Sequence, residues 1–233
     1  MLPIKNRKAL ISGGGSGIGR AVAAKLASTI PTAIADIQFP AAPLPHIQAF
    51  PCDVSSGPAI DELFAQVQHT LGTPDILVCC AGRGIHEKLT EGDPEKWRQI
   101  VDVNLMGALR LVRAFVPGML AQGSGDVVFV SSVAAGQAYP YGGVYAATKT
   151  ALEVVAETLR LEVLPTVRVT VVAPGVTDTA FFEHTVSGFH TAADLGYGSL
   201  AAADVADAVL YALQQPPGVS INHLTIRPVR QPF

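Results

Sequence analysis

The 233-residue chain predicts a doubly wound α/β fold, a parallel sheet with helices on both faces, and three observations carry the prediction. Short, almost wholly apolar runs alternate with longer segments whose apolar residues recur at helical spacing. The apolar runs lack the alternation of a sheet with one wet face, so both of their faces are covered. Glycines cluster where the first run gives way to the first helical segment, the place for a tight strand-to-helix turn. No repeat, charge run or linker-like stretch divides the chain, and a single domain spanning 1–233 accommodates every segment.

Taken in order, 8–12 is the first strand, and Ile18, Val22, Leu26 and Ile30 mark one face of the first helix. Strands follow at 32–36 and 46–53, then a helix from about 59 to 70 buried through Leu63, Phe64 and Val67. Between the second and third strands, Pro40, Pro43, Pro45 and Pro51 forbid a stable crossover helix and predict an extended loop. An apolar strand at 75–81 precedes a long helix at 94–120, in which Pro117 predicts a kink or an end near Val116. The remaining elements are a strand at 126–131, a helix at 145–164, a strand at 167–173, a helix at 202–214 and a last strand at 224–227.

Composition excludes several classes. A net charge of −3 with scattered lysines and arginines gives no footprint for nucleic acid or an anionic membrane. The first residues lack the apolar core and cleavage site of a signal peptide, and no uninterrupted apolar run has the length of a membrane span, so a soluble, cytoplasmic protein is expected. Cys52, Cys79 and Cys80 lie in apolar strand-like runs with spacings that suit neither a disulfide framework nor zinc. They read as reduced core residues, and no metal site is expected.

The chemistry begins at the turn Ser12-Gly13-Gly14-Gly15-Ser16-Gly17-Ile18-Gly19. Glycines between a first strand and a first helix let backbone N–H groups approach a phosphate at the positive helix end, as in Rossmann-type dinucleotide folds. Asp36 ends the second strand at the right distance to accept from the adenosine ribose hydroxyls. Its carboxylate would repel a 2′-phosphate and no cation neighbours it, so NAD is expected in preference to NADP. Farther along, Tyr145 and Lys149 lie four residues apart and share one helix face, so that the ammonium is placed to favour the ionised phenol. This is a proton-transfer device, and Ser132 stands just upstream of it.

With these residues in order, the chain resembles the short-chain dehydrogenase/reductase family over nearly its whole length. Gly13, Gly17 and Gly19, Asp53-Val54, Ala81-Gly82, Asn104, Ser132, Tyr145 with Lys149, and Pro174-Gly175 match its pattern in sequence. The resemblance implies an NAD(P)-dependent oxidoreductase acting on a CH–OH group. Tyr145 would be the general acid in reduction and base in oxidation, Lys149 would lower its pKa and hold the nicotinamide ribose, and Ser132 would bind the substrate oxygen. Asn104 would organise a water relay. Asp53 and Val54 would bracket the adenine, Ala81 and Gly82 would pass close to the adenosine ribose, and Val176 and Thr179, with Thr177 beside them, would hold the carboxamide. Ser12 replaces the family's threonine and Cys79-Cys80 its two asparagines, which removes side-chain hydrogen bonds at the cofactor edge.

The family's substrate pocket would here include Gln137, Tyr139 and Tyr141, a lid at about 177–198 with Phe181, Phe182 and His184, and a rim at 83–86. This mixed aromatic lining with few charges suits a small or medium alcohol or ketone. Arg83 and His86 read as solvated loop residues, and His184 is not needed for proton transfer. Leu152, Val155, Leu159 and Val163 extend beyond one narrow helical stripe and point to contact with another subunit; the resemblance implies a homotetramer or homodimer. The alternative function is a catalytically weak NAD-binding regulatory protein on the same fold, against which the complete Ser132, Tyr145 and Lys149 set speaks. An epimerase would need a larger C-terminal portion.

Overall fold

In the computed structural model, which describes residues 4–39, 46–188 and 196–232, strands β1 (Ala9–Ser12), β2 (Thr32–Asp36), β3 (Ile47–Pro51), β4 (Ile76–Cys79), β5 (Gly125–Val130), β6 (Val167–Pro174) and a late strand, His223–Ile226, form one sheet. All neighbours pair in parallel, and the order runs β3-β2-β1-β4-β5-β6 with the late strand beyond β6. The chain turns outward from β1 to β2 and β3, then returns past β1 to β4. That reversal opens a crevice at the carboxyl ends of β1 and β4, where such sheets bind ligands.

Among the described residues six α-helices cover the two faces: α1 (Gly17–Ala27), α2 (Gly57–Thr70), α3 (Pro94–Val101), α4 (Gly107–Gln122), α5 (Gly143–Val163) and α6 (Ala202–Leu213). One buried layer joins Leu10, Leu77, Val127 and Phe129 of the strands to Leu63, Phe115 and Leu152 of α2, α4 and α5. The other joins Ile11, Val78 and Val128 to Val22 and Leu26 of α1 and Val209 of α6. The apolar strands therefore feed two cores, as their lack of alternation requires. Two short strands, β7 (Thr177–Asp178) and β8 (Leu200–Ala201), pair outside the main sheet, which makes His223–Ile226 β9.

Several sequence expectations change. β3 is largely solvent-facing, and among the described residues no strand pairs along its outer edge. Phe64 is 38% exposed, although its ring lies 5.5 Å from that of Phe115. Pro117 does not end its helix. α4 runs through it to Gln122 and stops at Gly123 in the left-handed conformation, because Val116 and Met119 pack that last stretch into the core. The helical run breaks its register earlier, in a π-helical turn at Asp102–Met106 that separates α3 from α4. By length and composition Pro94–Gln122 is apolar enough to cross a membrane, yet here Ile100, Leu111, Phe115 and Met119 are buried inside the fold. Leu152, Leu159 and Val163 of α5 face the chain's own core, and the exposed apolar residues at and just beyond α5 are instead Val154, Leu161 and Leu164. Pro40, Pro43 and Pro45 lie outside the described residues, as does part of the 177–198 lid.

Candidate active site

The crevice is built first at β1. Gly13 has φ +67°, and a Cβ there would lie 2.8 Å from Ala81 N, so only glycine lets the turn pass this close to the end of β4. α1 starts behind it with Ser16 as its N-cap and without a side-chain cap hydrogen bond. Its first N–H groups and the helix dipole suit an anion, which fits the pyrophosphate of a dinucleotide. Thr179 reaches this turn from the far side of the molecule, its Cβ 3.3 Å from where a Cβ on Gly17 would sit. Asp36 closes the crevice beside the glycine turn. Its Oδ2 accepts from Gly15 N at 2.9 Å and its Oδ1 from Gln38 N at 3.2 Å, which fixes the carboxylate at the tip of β2.

Ser12 closes β1 just ahead of the glycine turn. It is buried, and its hydroxyl donates to Val78 O while accepting from Cys80 N at 3.1 Å and Ala81 N at 3.3 Å. This hydroxyl ties β1 to the end of β4 through backbone groups. The strand end is thereby anchored although Cys79 and Cys80 carry no amide side chains. All three cysteines are free thiols, and burial pushes Cys80 up to about 12. Asp53 turns its carboxylate on its own segment, accepting from Ser55 N and Oγ. Val54 packs against α4, where a Cβ on Gly107 would come within 2.7 Å of it.

On the other wall, Ser132, Tyr145, Lys149, Asn104 and Gly82 come together. Ser132 caps the short 3-10 turn Val133–Gly136 through Ala134 N, at 3.1 Å, and its hydroxyl lies near enough to the Tyr145 phenol to favour the ionised form. The neighbouring Ser131 points away and donates to Glu153 at 2.8 Å, so Ser132 is the hydroxyl that faces the tyrosine. Lys149 is buried one turn below Tyr145, with Nζ 2.9 Å from Val130 O and 5.8 Å from the Tyr145 ring centre. A Cβ on Gly82 would stand 3.3 Å from Asn104 Oδ1 and 3.5 Å from Lys149 Nζ, which places all three around one point.

Two features were not legible in the sequence. Asn104 sits in the π turn and clamps Arg83 from both sides, accepting from its N–H at 2.8 Å and donating to its C=O at 2.9 Å. Its Nδ2 also reaches Thr148 Oγ1 at 3.2 Å, and Thr148 donates to Tyr145 O at 2.7 Å. Thr148, inside the Tyr-Ala-Ala-Thr-Lys run, is thus a link between Asn104 and the tyrosine helix. π turns recur at functional sites because they re-aim a side chain without breaking the helix.

The titration pattern also differs from expectation. Burial holds the Tyr145 phenol above its ordinary range, opposed by the hydrogen bond from Ser132. Burial likewise lowers Lys149 to about 8, opposed by the nearby Cys80 and Glu153. The two shifts have one cause, enclosure of both groups, and it outweighs the expected lowering of the tyrosine by the lysine.

Aromatic rings cover the tyrosine. Phe181 lies 5.7 Å from Tyr145 and 5.8 Å from Phe182, while His86 lies 5.8 Å from both Tyr139 and Tyr141. Rim and lid are stitched together by His86 N to Ser187 O and Val186 N to Gly84 O, both at 2.9 Å. Arg83 joins the stitching, its Nε donating to His184 O, and Glu87 accepts from Ser187 Oγ and from Trp97 Nε1. Gln137 and His184 are exposed. Among the described residues no group of three His, Cys, Asp or Glu could hold a metal ion.

Residues 7–188 match the family model described as short chain dehydrogenase. The chain belongs to the short-chain dehydrogenase family. An oxidoreductase of Staphylococcus aureus strain MW2, itself uncharacterized, is 33% identical over 238 residues, covering 98% of this chain and 100% of that protein. Among solved structures, the alcohol dehydrogenase of the archaeon Thermococcus sibiricus, complexed with 5-hydroxy-NADP, superposes with a TM-score of 0.84 at 27% identity, covering 97% of each chain. The closed form of a serine dehydrogenase complexed with NADP+ gives 0.88 at 26% identity, covering 97% of this chain and 96% of that one. As a short-chain dehydrogenase the chain is an oxidoreductase of a nucleotide-binding family, and its seven-stranded parallel sheet is that family's fold.

Proposed function

We propose that this short-chain dehydrogenase moves a hydride between NAD(H) and a small to medium alcohol/ketone pair, with Tyr145 as the general acid and base. The observation that carries this is the Tyr145 phenol set beside the buried Lys149, with the Ser132 hydroxyl facing it, under an aromatic lid. When bound, the nicotinamide supplies or accepts the hydride. In reduction, Ser132 orients the carbonyl oxygen and Tyr145 gives it the phenolic proton. A phenol held protonated by burial enters that step ready to act as the acid. Lys149 then stabilises the phenolate, and Asn104, with its link through Thr148, places the water that returns the proton.

The glycine turn 13–19 takes the pyrophosphate, Asp36 the adenosine ribose, Asp53 and Val54 the adenine, Ala81 and Gly82 the backbone side, and Lys149 the nicotinamide ribose. Past β6, Pro174 and Gly175 bring Thr177 and Thr179 to the carboxamide. The fixed carboxylate of Asp36 supports NAD over NADP, while the two related enzymes with NADP-type ligands pull the other way. The lid segment that carries Phe181 and Phe182 lies over Tyr145, where the substrate would bind. Its phenylalanines, with Tyr139, Tyr141 and His86, suit an uncharged substrate carrying a ring, since the one rim arginine is spent on the lid.

The open apolar groove between α3 and α5, lined by Leu89, Val101, Leu105, Val144, Ala147 and Ala151, supports self-association as a homodimer or homotetramer. We place the enzyme in the cytoplasm. Calorimetric titration with NADH and NADPH, followed by open-chain and ring-bearing ketones monitored through loss of reduced cofactor, tests the function. Turnover of ring-bearing ketones with NADH is expected. A chain that binds cofactor but turns over no ketone or alcohol is instead the regulatory alternative.

A further inference from the structure

Val176 follows Pro174-Gly175, and the family resemblance implies that its backbone, which offers one N–H, meets the cofactor's carboxamide. That N–H already has an acceptor: Oε1 of Gln231, at 2.9 Å, from 55 residues downstream. The Val176 carbonyl is also committed, accepting from Leu200 N at 2.8 Å. Val176 is therefore clamped from both sides, by the C-terminal segment and by β8.

The seat of Gln231 is shaped for it. A Cβ on Gly175 would lie 2.2 Å from Gln231 Oε1 and 3.1 Å from Pro228 Cδ, so a side chain at 175 would expel the amide. Gly175 N donates to Ile226 O at 2.7 Å, and Gln231 N folds back onto Pro228 O at 2.9 Å, which closes a turn beyond β9. The clamped residue opens the stretch whose Thr177 lies in β7 and whose Thr179 stands against Gly17 at the glycine turn. Whatever fixes Val176 fixes the approach of both threonines to the crevice.

We infer that Gln231 is a positioning residue for the nicotinamide half of the cofactor, orienting Thr177 and Thr179 through the Val176 N–H, which itself does not contact the cofactor. The inference rests on the proposed use of a nicotinamide cofactor. Only an acceptor oxygen is required of the side chain, so glutamate should replace glutamine and leucine should not.

The test compares Gln231→Leu and Gln231→Glu with the parent chain for binding of NADH and of ADP-ribose, which lacks the nicotinamide, by calorimetry, with thermal melts alongside. Gln231→Leu is expected to weaken NADH by about tenfold, the loss of one hydrogen bond's orienting effect, while ADP-ribose stays within about twofold. Gln231→Glu is expected to bind NADH within about threefold of the parent. Should Gln231→Leu fail to fold, Gln231→Ala is held to the same split. Equal weakening of both ligands, unchanged NADH binding, or tighter NADH binding by the leucine variant overturns the inference, the last by making Gln231 a competitor of the carboxamide. A parent chain that binds ADP-ribose but gains nothing from the nicotinamide of NADH or NADPH fails the cofactor assignment itself, and the positioning role falls with it.

Discussion

Asp126 lies near the start of β5 at one end of the sheet, and Lys149 lies against Val130, which closes β5 at the other. Asp126 is buried, yet Arg168 grips it with two nitrogens at 2.7 and 3.0 Å and Arg7 adds a third contact. Arg168 goes on to hold the carbonyls of Leu213, Gln215 and Val219, so every charge there has a partner. Lys149 is equally buried but has a single carbonyl, and among the described residues no carboxylate forms an ion pair with it. Burial lowers its pKa, and the nearby Cys80 and Glu153 only partly oppose this. A buried charge that is fully paired holds structure together, whereas one left without a counter-charge is poised to change protonation.

The sharpest separation of the two ends comes from Tyr145→Phe. Steady-state assays should show a loss of about 10³-fold in kcat, since the acid/base group is gone, with NADH affinity by calorimetry little changed. Near-parental turnover would remove Tyr145 from the mechanism.

At the opposite end, Asp126→Asn should cost about 3 kcal/mol of stability in urea melts, because two arginines lose their counter-charge. Its kcat per folded molecule should stay at the parental value. A variant that loses turnover without losing stability would erase the distinction between the ends.

Lys149→Met tests isolation directly. The folded pKa of about 8 lies below the ordinary 10.5, so the folded chain holds the proton less tightly than the unfolded one. The stability missing below pH 8 is recovered as pH rises toward 10.5. The methionine variant, though inactive, should therefore exceed the parent by on the order of 2 kcal/mol at pH 7, with the gap closing by pH 10. A gap independent of pH would mean that Lys149 is not buried as a charge.

The smallest effect concerns the adenosine tip. Asp36→Asn keeps an acceptor for Gly15 N but removes the negative charge. The ratio of NADPH to NADH affinity should move about tenfold toward NADPH, read in paired calorimetric titrations. No movement would discharge Asp36 from cofactor choice.

How much of this could be read beforehand follows the distance over which each contact acts. Ser132, Tyr145 and Lys149 were legible because a helical repeat and one short connection place them. The clamp by Asn104 was half legible: the residue stood out in an apolar helix, but nothing in the sequence marks the π turn that aims it at Arg83. The hydrogen bonds of Ser12 are not legible, since Cys80 N and Ala81 N reach its hydroxyl only when β4 is laid beside β1. Gln231 gave no signal, being a polar residue near a chain end.

By itself, the sequence determined the alternation of strand and helix, the glycine turn between the first strand and helix, the Tyr145–Lys149 pair and the family, because these depend on periodicity and local spacing that every fold of the chain must respect. The tertiary structure decided which backbone groups were already taken, which faces of α5 were core, and that enclosure rather than charge pairing governs Tyr145 and Lys149. Those outcomes are set by groups far apart in the chain, and burial exists only once the layers have closed over them.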